Sequence, residues 1–187
     1  TSRWYAQEAN AFVTVPHELV PLASQKTLEG RTIVLTQYPL ASGSAMRTVA
    51  VPVPSGVTQI VVLYGSGSIE NGFVLADIPG KSADNVARFD LWLLRMGHGK
   101  VTWVKCFNKS DFDGNLFTDQ DASFTRIGSL LCFTHAHGKI YCIDTATASP
   151  SVVAPEKTNT VLEQLYKKGP TNSEGPLQAS LASDNGV

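Results

Sequence analysis

A chain of 187 residues at 43% hydrophobic composition has the length of one ordinary domain and enough apolar material for a sizeable core, which excludes global disorder. A formal net charge of −1, a pI near 6.4 and the absence of any polybasic run argue against strong nucleic-acid binding. No apolar stretch approaches the ~20 residues that a bilayer span needs, so no membrane insertion is expected.

The opening segment, Thr1 to about residue 30, is mixed and punctuated by Pro16 and Pro21. It reads as an extended arm with short strand pieces such as Phe12–Val15. The arm carries Trp4, placed to anchor it to a neighbour. The segment shows no signal-peptide pattern, and a first residue of Thr fits a product cut from a longer chain.

From Arg31 the strand signal is steady. Arg31–Gln37 (RTIVLTQ) is a strand, and Pro39 with Ala41–Ser44 makes the turn after it. Met46–Val53 alternates, with Pro52 and Pro54 assigning its end to a sheet edge. Thr58–Tyr64 (TQIVVLY) is a core strand, followed by a flexible Gly65–Ser68 loop. Gly72–Ile78 is a strand closed by Pro79-Gly80, and Lys81–Val86 is a polar loop.

Ala87–Arg95 and Lys100–Phe107 are two strands joined at Gly97-His98-Gly99, where glycine supplies the backbone freedom of a tight turn. Both faces of the second strand are mostly apolar, which predicts cover on both sides. Trp92 and Trp103 read as core. Phe124–Thr134 and Lys139–Thr145 close the sheet region. With His137 central in their loop, Cys132 stands opposite Cys142 and Phe133 opposite Tyr141. After Thr145 little strand signal remains.

One short helix is predicted near the C-terminus. Thr158-Asn159 can cap it, and Val161, Leu162, Leu165 and Tyr166 form its apolar stripe. Gly169-Pro170 stops it. A polar tail follows. The organisation is therefore an arm over 1–30, a β-sandwich over 31–155, and a helix with extended tail over 156–187.

Candidate chemistry is sparse. Asp111, Asp113, Asp119 and Asp121 form the densest acidic cluster, and alternate oxygens can hold Ca²⁺. The glycine spacing departs from an EF-hand and no closing Glu follows, so a carboxylate-rich turn is the plainer reading. Cys132, His135, His137 and Cys142 have zinc-ligand chemistry without a zinc-site spacing. Three cysteines read as reduced, buried thiols, and a Cys132–Cys142 link stays open if the hairpin pairs them. Tyr64–Ser68 is the nearest glycine-rich serine segment. It precedes a turn rather than a helix and lacks the Lys of a phosphate loop. No nucleophile elbow is present, so no catalytic residue and no cofactor are assigned.

Leu91–Arg95 (LWLLR), Gly99–Asn108 (GKVTWVKCFN) and Asp113–Phe117 (DGNLF) together resemble part of a picorna-like viral coat protein. In that family an apolar strand, a turn glycine, an alternating strand ending near Asn, and a Gly opening the next strand follow one another. Ser110-Asp111-Phe112 is similar to the Asp-Asp-Phe element of some insect picorna-like capsids, where the acids assist a maturation cleavage. Ser110 replaces the first acid, so that role is not carried over.

The resemblance implies an all-β, jelly-roll-like antiparallel sandwich with a short C-terminal helix and extended terminal arms. It implies a structural capsid protein, a shell subunit or a projecting domain, and not an enzyme. Partners would be other capsid subunits and a host receptor or glycan. Its place would be the virion, and the host cytoplasm during assembly. Outer loops at Gly65–Asn71, Pro79–Val86 and Lys109–Asp121 would carry Ser66, Asn71, Asp113 and Asn115 as contact residues. Trp4 in the arm and Leu162 and Tyr166 on the helix would dock neighbours. A carbohydrate-binding β-sandwich and a Cys/His or Ser/His hydrolase are the alternative readings.

Overall fold

The computed structural model describes residues 1–80, 88–97, 99–108, 124–134 and 140–153. Every strand pair within them is antiparallel, and a single 3-10 turn is their only helical element. The predicted C-terminal helix lies outside these residues. The chain divides into two units, Thr1–Gly114 and Asn115–Val187.

The first unit opens with β1 (Ser2–Ala6) and β2 (Ala11–Val15), joined through the 3-10 turn Gln7–Ala9 and Asn10 in the left-handed region. With β4 (Thr32–Pro39) and β5 (Arg47–Pro52) they form a four-stranded sheet in the order β1-β2-β4-β5. The predicted arm over 1–30 is therefore corrected. Ala6, Ala11, Val13 and Val15 are fully buried, because strict alternation in two five-residue strands gives each an apolar face. The Phe12–Val15 piece is the part of the expectation that the structure keeps.

After Pro16 the chain crosses to a second sheet as β3 (Glu18–Leu19), which pairs with β6 (Ile60–Ser66). From β6 the chain runs as a meander through β7 (Phe73–Gly80), β8 (Arg88–Gly97) and β9 (Lys100–Phe107). A jelly roll interleaves strands far apart in sequence through two Greek keys. The described order is instead hairpins and a meander with one crossing strand, so the jelly-roll expectation is corrected here.

One apolar cluster joins residues of both sheets. Val13, Ile33, Leu35 and Val51 come from the first; Ile60, Val62, Val74, Ala76, Ile78, Leu94 and Met96 come from the second. Each of the Val, Ile, Leu and Met side chains among them contributes about 1.5–3 kcal/mol when buried. Trp92 and Trp103 pack against this cluster, as read from the sequence. Phe73, Leu75, Leu91 and Leu93 on the opposite face of β7 and β8 are buried too. Cover on both sides thus belongs to these central strands. It does not belong to most of β9, where Val101 is 38% exposed and only Cys106 and Phe107 are buried. The reason is position: among the described residues β9 is an edge strand, with β8 as its one neighbour.

The β8–β9 turn is as expected: Gly97 pairs with Lys100, and Gly99 takes φ 70°. The β7 strand takes in Pro79-Gly80, which pair with Phe89 and Arg88, rather than ending at Ile78.

The second unit is a four-stranded meander of β10 (Phe124–Ile127), β11 (Leu130–Thr134), β12 (Ile140–Asp144) and β13 (Ser149–Val153). The predicted Phe124–Thr134 strand is two strands, split at Gly128 with φ 60°. Cys132 faces Cys142 and Phe133 faces Tyr141, the pairing that the alternation and short loop dictate. Phe124, Phe133 and Tyr141 line up across three strands, with ring centroids 5.4 and 5.5 Å apart. The strand β13 was not expected from its sequence.

Candidate functional site

Trp4, Ser66 and Asn71, all read from the sequence as contact residues, converge on one loop. The loop runs from the end of β6 to the start of β7. Trp4 is held within its own chain. Its indole Nε1 donates to the carbonyl of Gly67 at 2.7 Å, and its ring lies so close over Gly65 that a Cβ there would collide with it. The glycine is required by this approach.

Three more ties hold the loop. The Ser68 N–H donates to Glu8 Oε1 at 2.6 Å, and the Ile69 N–H donates to Oε1 of the buried Gln37 at 3.1 Å. The Met96 N–H donates to the Gly72 carbonyl at 2.8 Å. At Gly72 a Cβ would lie 2.5 Å from the carbonyl oxygens of Ser66 and Ser68. The flexible Gly65–Ser68 loop of the sequence reading is thus corrected to a clamped one. Its glycines serve close packing as well as turning.

Beside this loop is a depression of ≈ 420 Å³ lined by Arg47, Val49, Ile69, Glu70, Asn71, Gly97, Gly99, Lys100 and Val101. Arg47 and Glu70 form an exposed ion pair across its rim. The volume falls in the range of small-ligand sites.

A second surface lies on the outer face of the four-stranded sheet. Tyr5 pairs with Phe12, and Phe12 with Tyr38, so three aromatic side chains stand in a row across β1, β2 and β4. They are 48%, 43% and 44% exposed, with the Tyr5 and Phe12 centroids 5.6 Å apart. The next row is Arg3, Thr14, Thr36 and Thr48. Val34 is also exposed there, and Leu40 and Met46 in the adjoining β4–β5 turn are too. Sequence reasoning missed this surface. Each residue sits at the outward position of its own alternating strand, but only register brings them together.

Asp111, Asp113, Asn115, Asp119, Asp121, Leu162 and Tyr166 lie outside the described residues, as do His98, His135 and His137. Among the described residues no three His, Cys, Asp or Glu gather in a way that could hold a metal ion.

Cys106, Cys132 and Cys142 are buried thiols, none of them in a disulfide. Burial pushes the Cys106 thiol up to about 11, offset in part by a backbone hydrogen bond at Leu93. Burial, then the hydrogen bond and charge of Cys132, pushes Cys142 up to about 12. Such thiols are poor nucleophiles. In the folded protein at pH 8 they are expected to react with a disulfide reagent far more slowly than in denaturant. Fast labelling would revive the hydrolase reading.

The same shifts set a pH dependence. Both thiols favour the protonated form in the folded state above the ordinary 9.0. Their stabilisation is complete below about pH 9 and is lost as pH climbs through about 11 to 12. Denaturant midpoints measured across this window are expected to fall, and to fall less in a Cys106→Ala, Cys142→Ala variant.

Set against known proteins, the chain matches no family model, no curated protein and no solved structure.

Proposed function

We propose that this chain is a structural building block whose first unit is an antiparallel β-sandwich. In this reading it serves as a shell subunit or projecting domain in the capsid of a small non-enveloped RNA virus. Its partners would be other capsid subunits, and its place the virion, with assembly in the host cytoplasm. The observation that carries an assembly role is the outer face of the four-stranded sheet. Three half-exposed aromatic side chains side by side make a contact surface that a partner can cover. The composition is that of an interface core: aromatics and one Arg are present, while Lys, Asp and Glu are missing from the two outward rows. The viral assignment rests on the coat-protein resemblance of Leu91–Phe117.

The aromatic row is also what favours the second reading, a carbohydrate-binding module. The Tyr5 and Phe12 rings are inclined by 57°, which suits edge-to-face packing of side chains better than a flat platform for a sugar ring.

Light scattering on the full chain tests the assembly reading. Defined oligomers or closed particles are expected, and Phe12→Glu should shift them to monomer. Phe12 lies outside the core, so the substitution should cost about 1 kcal/mol, from the lost ring contact with Tyr5, and leave the chain folded by circular dichroism. A wild-type chain that stays monomeric at high concentration sinks the proposal.

A further inference from the structure

We infer that the depression beside the Ser66–Gly72 loop is a binding site for a carboxylate-bearing sugar, taken up as the exposed end of a glycan. The site has the three parts such a ligand needs. Val49, Ile69 and Val101 give an apolar floor against which the C–H face of a pyranose can lie. Asn71 and Glu70 offer an amide and a carboxylate to ring hydroxyls. Arg47 and Lys100 set two cations against one acid. Glu70 takes one edge of the Arg47 guanidinium, and Lys100 forms no ion pair among the described residues. An incoming carboxylate therefore meets the Lys100 ammonium and the remaining edge of the Arg47 fork.

Two further features favour a ligand over a mere surface dip. Gly97 and Gly99 have nothing within 4 Å of where a Cβ would stand, so their backbone is bare toward incoming atoms. The opposite wall is rigid, because Glu8, Gln37, Trp4 and Met96 fix the loop that carries Glu70 and Asn71. Preorganised polar groups lose little entropy on binding. The site does not depend on the assembly reading, since every residue in it belongs to one copy of the chain.

The test is a chemical-shift titration of the full chain with the methyl glycosides of glucuronic acid and N-acetylneuraminic acid. Neutral methyl glucoside and sodium acetate serve as comparisons. Saturable shifts with at least one sugar acid are expected, about tenfold tighter than with the neutral sugar or acetate. Lys100→Ala should weaken this binding about tenfold, and Lys100→Arg should restore most of it. Lys100 is exposed at the start of an edge strand, so both variants should keep the wild-type melting curve. Four results would overturn the inference: no saturable shift, equal binding of the neutral sugar, equal binding of acetate, or indifference to Lys100→Ala.

Discussion

Phe133→Ala is expected to cost about 4 kcal/mol of stability, the largest loss we anticipate from one substitution. Phe133 is fully buried on β11 between two other aromatic rings. Its ring stacks on Tyr141 at 5.5 Å with 14° between the planes, and meets Phe124 at 5.4 Å with 54° between them. Truncation removes the transferred apolar area, two ring–ring contacts and the filling of the space between them. The four-stranded sheet cannot collapse into the gap without losing the Cys132–Cys142 and Phe133–Tyr141 register. Chemical denaturation followed by circular dichroism would read the loss, with Phe133→Leu as the milder comparison at about 1.5 kcal/mol. Wild-type stability in the alanine variant would mean that the aromatic row is not part of the cooperative fold.

Trp4→Ala is expected to cost about 3 kcal/mol, near the low end for tryptophan because the ring is only partly buried. Two losses combine. The indole leaves the inter-sheet cluster against which it packs, and the Gly67 carbonyl loses its donor. Trp4→Phe separates them: it keeps much of the packing and gives up the hydrogen bond, for about 1 kcal/mol. Because Trp4 closes over Gly65, the alanine variant should also speed amide exchange in the 66–72 loop, while the phenylalanine variant changes it less. Equal costs for the two variants would show that the hydrogen bond, and not the ring, holds the loop.

Legibility from sequence followed the range of the interactions. The β8–β9 and β11–β12 hairpins were readable because alternation and short loops specify register locally. The placing of Trp92 and Trp103 was readable from their apolar neighbours. The first thirty residues were misread because two prolines and short strands look like an arm. What makes β1 and β2 sheet is β4, about twenty residues further on, which pairs with β2. Ser149-Pro150 hid β13 because proline usually breaks strands, yet it is tolerated at the sheet edge that β13 forms. Trp4, Ser66 and Asn71 could each be picked out as residue types, but their meeting at one loop is tertiary. So is the alignment of Tyr5, Phe12 and Tyr38, to which three separate strands each give one outward side chain.

The outermost strands bear on whether one copy of this chain can add to another strand by strand. An unguarded strand invites another chain to add main chain to main chain without limit, the route to fibrils. Here β3 is two residues long, β5 ends at Pro52, β9 carries Lys100 and Lys105, and β13 contains Pro150. These features blunt open-ended hydrogen-bonded templating at those four borders. Contact between copies at those borders would fall to side-chain surfaces, whose fixed geometry can close on itself and stop at a finite number of subunits.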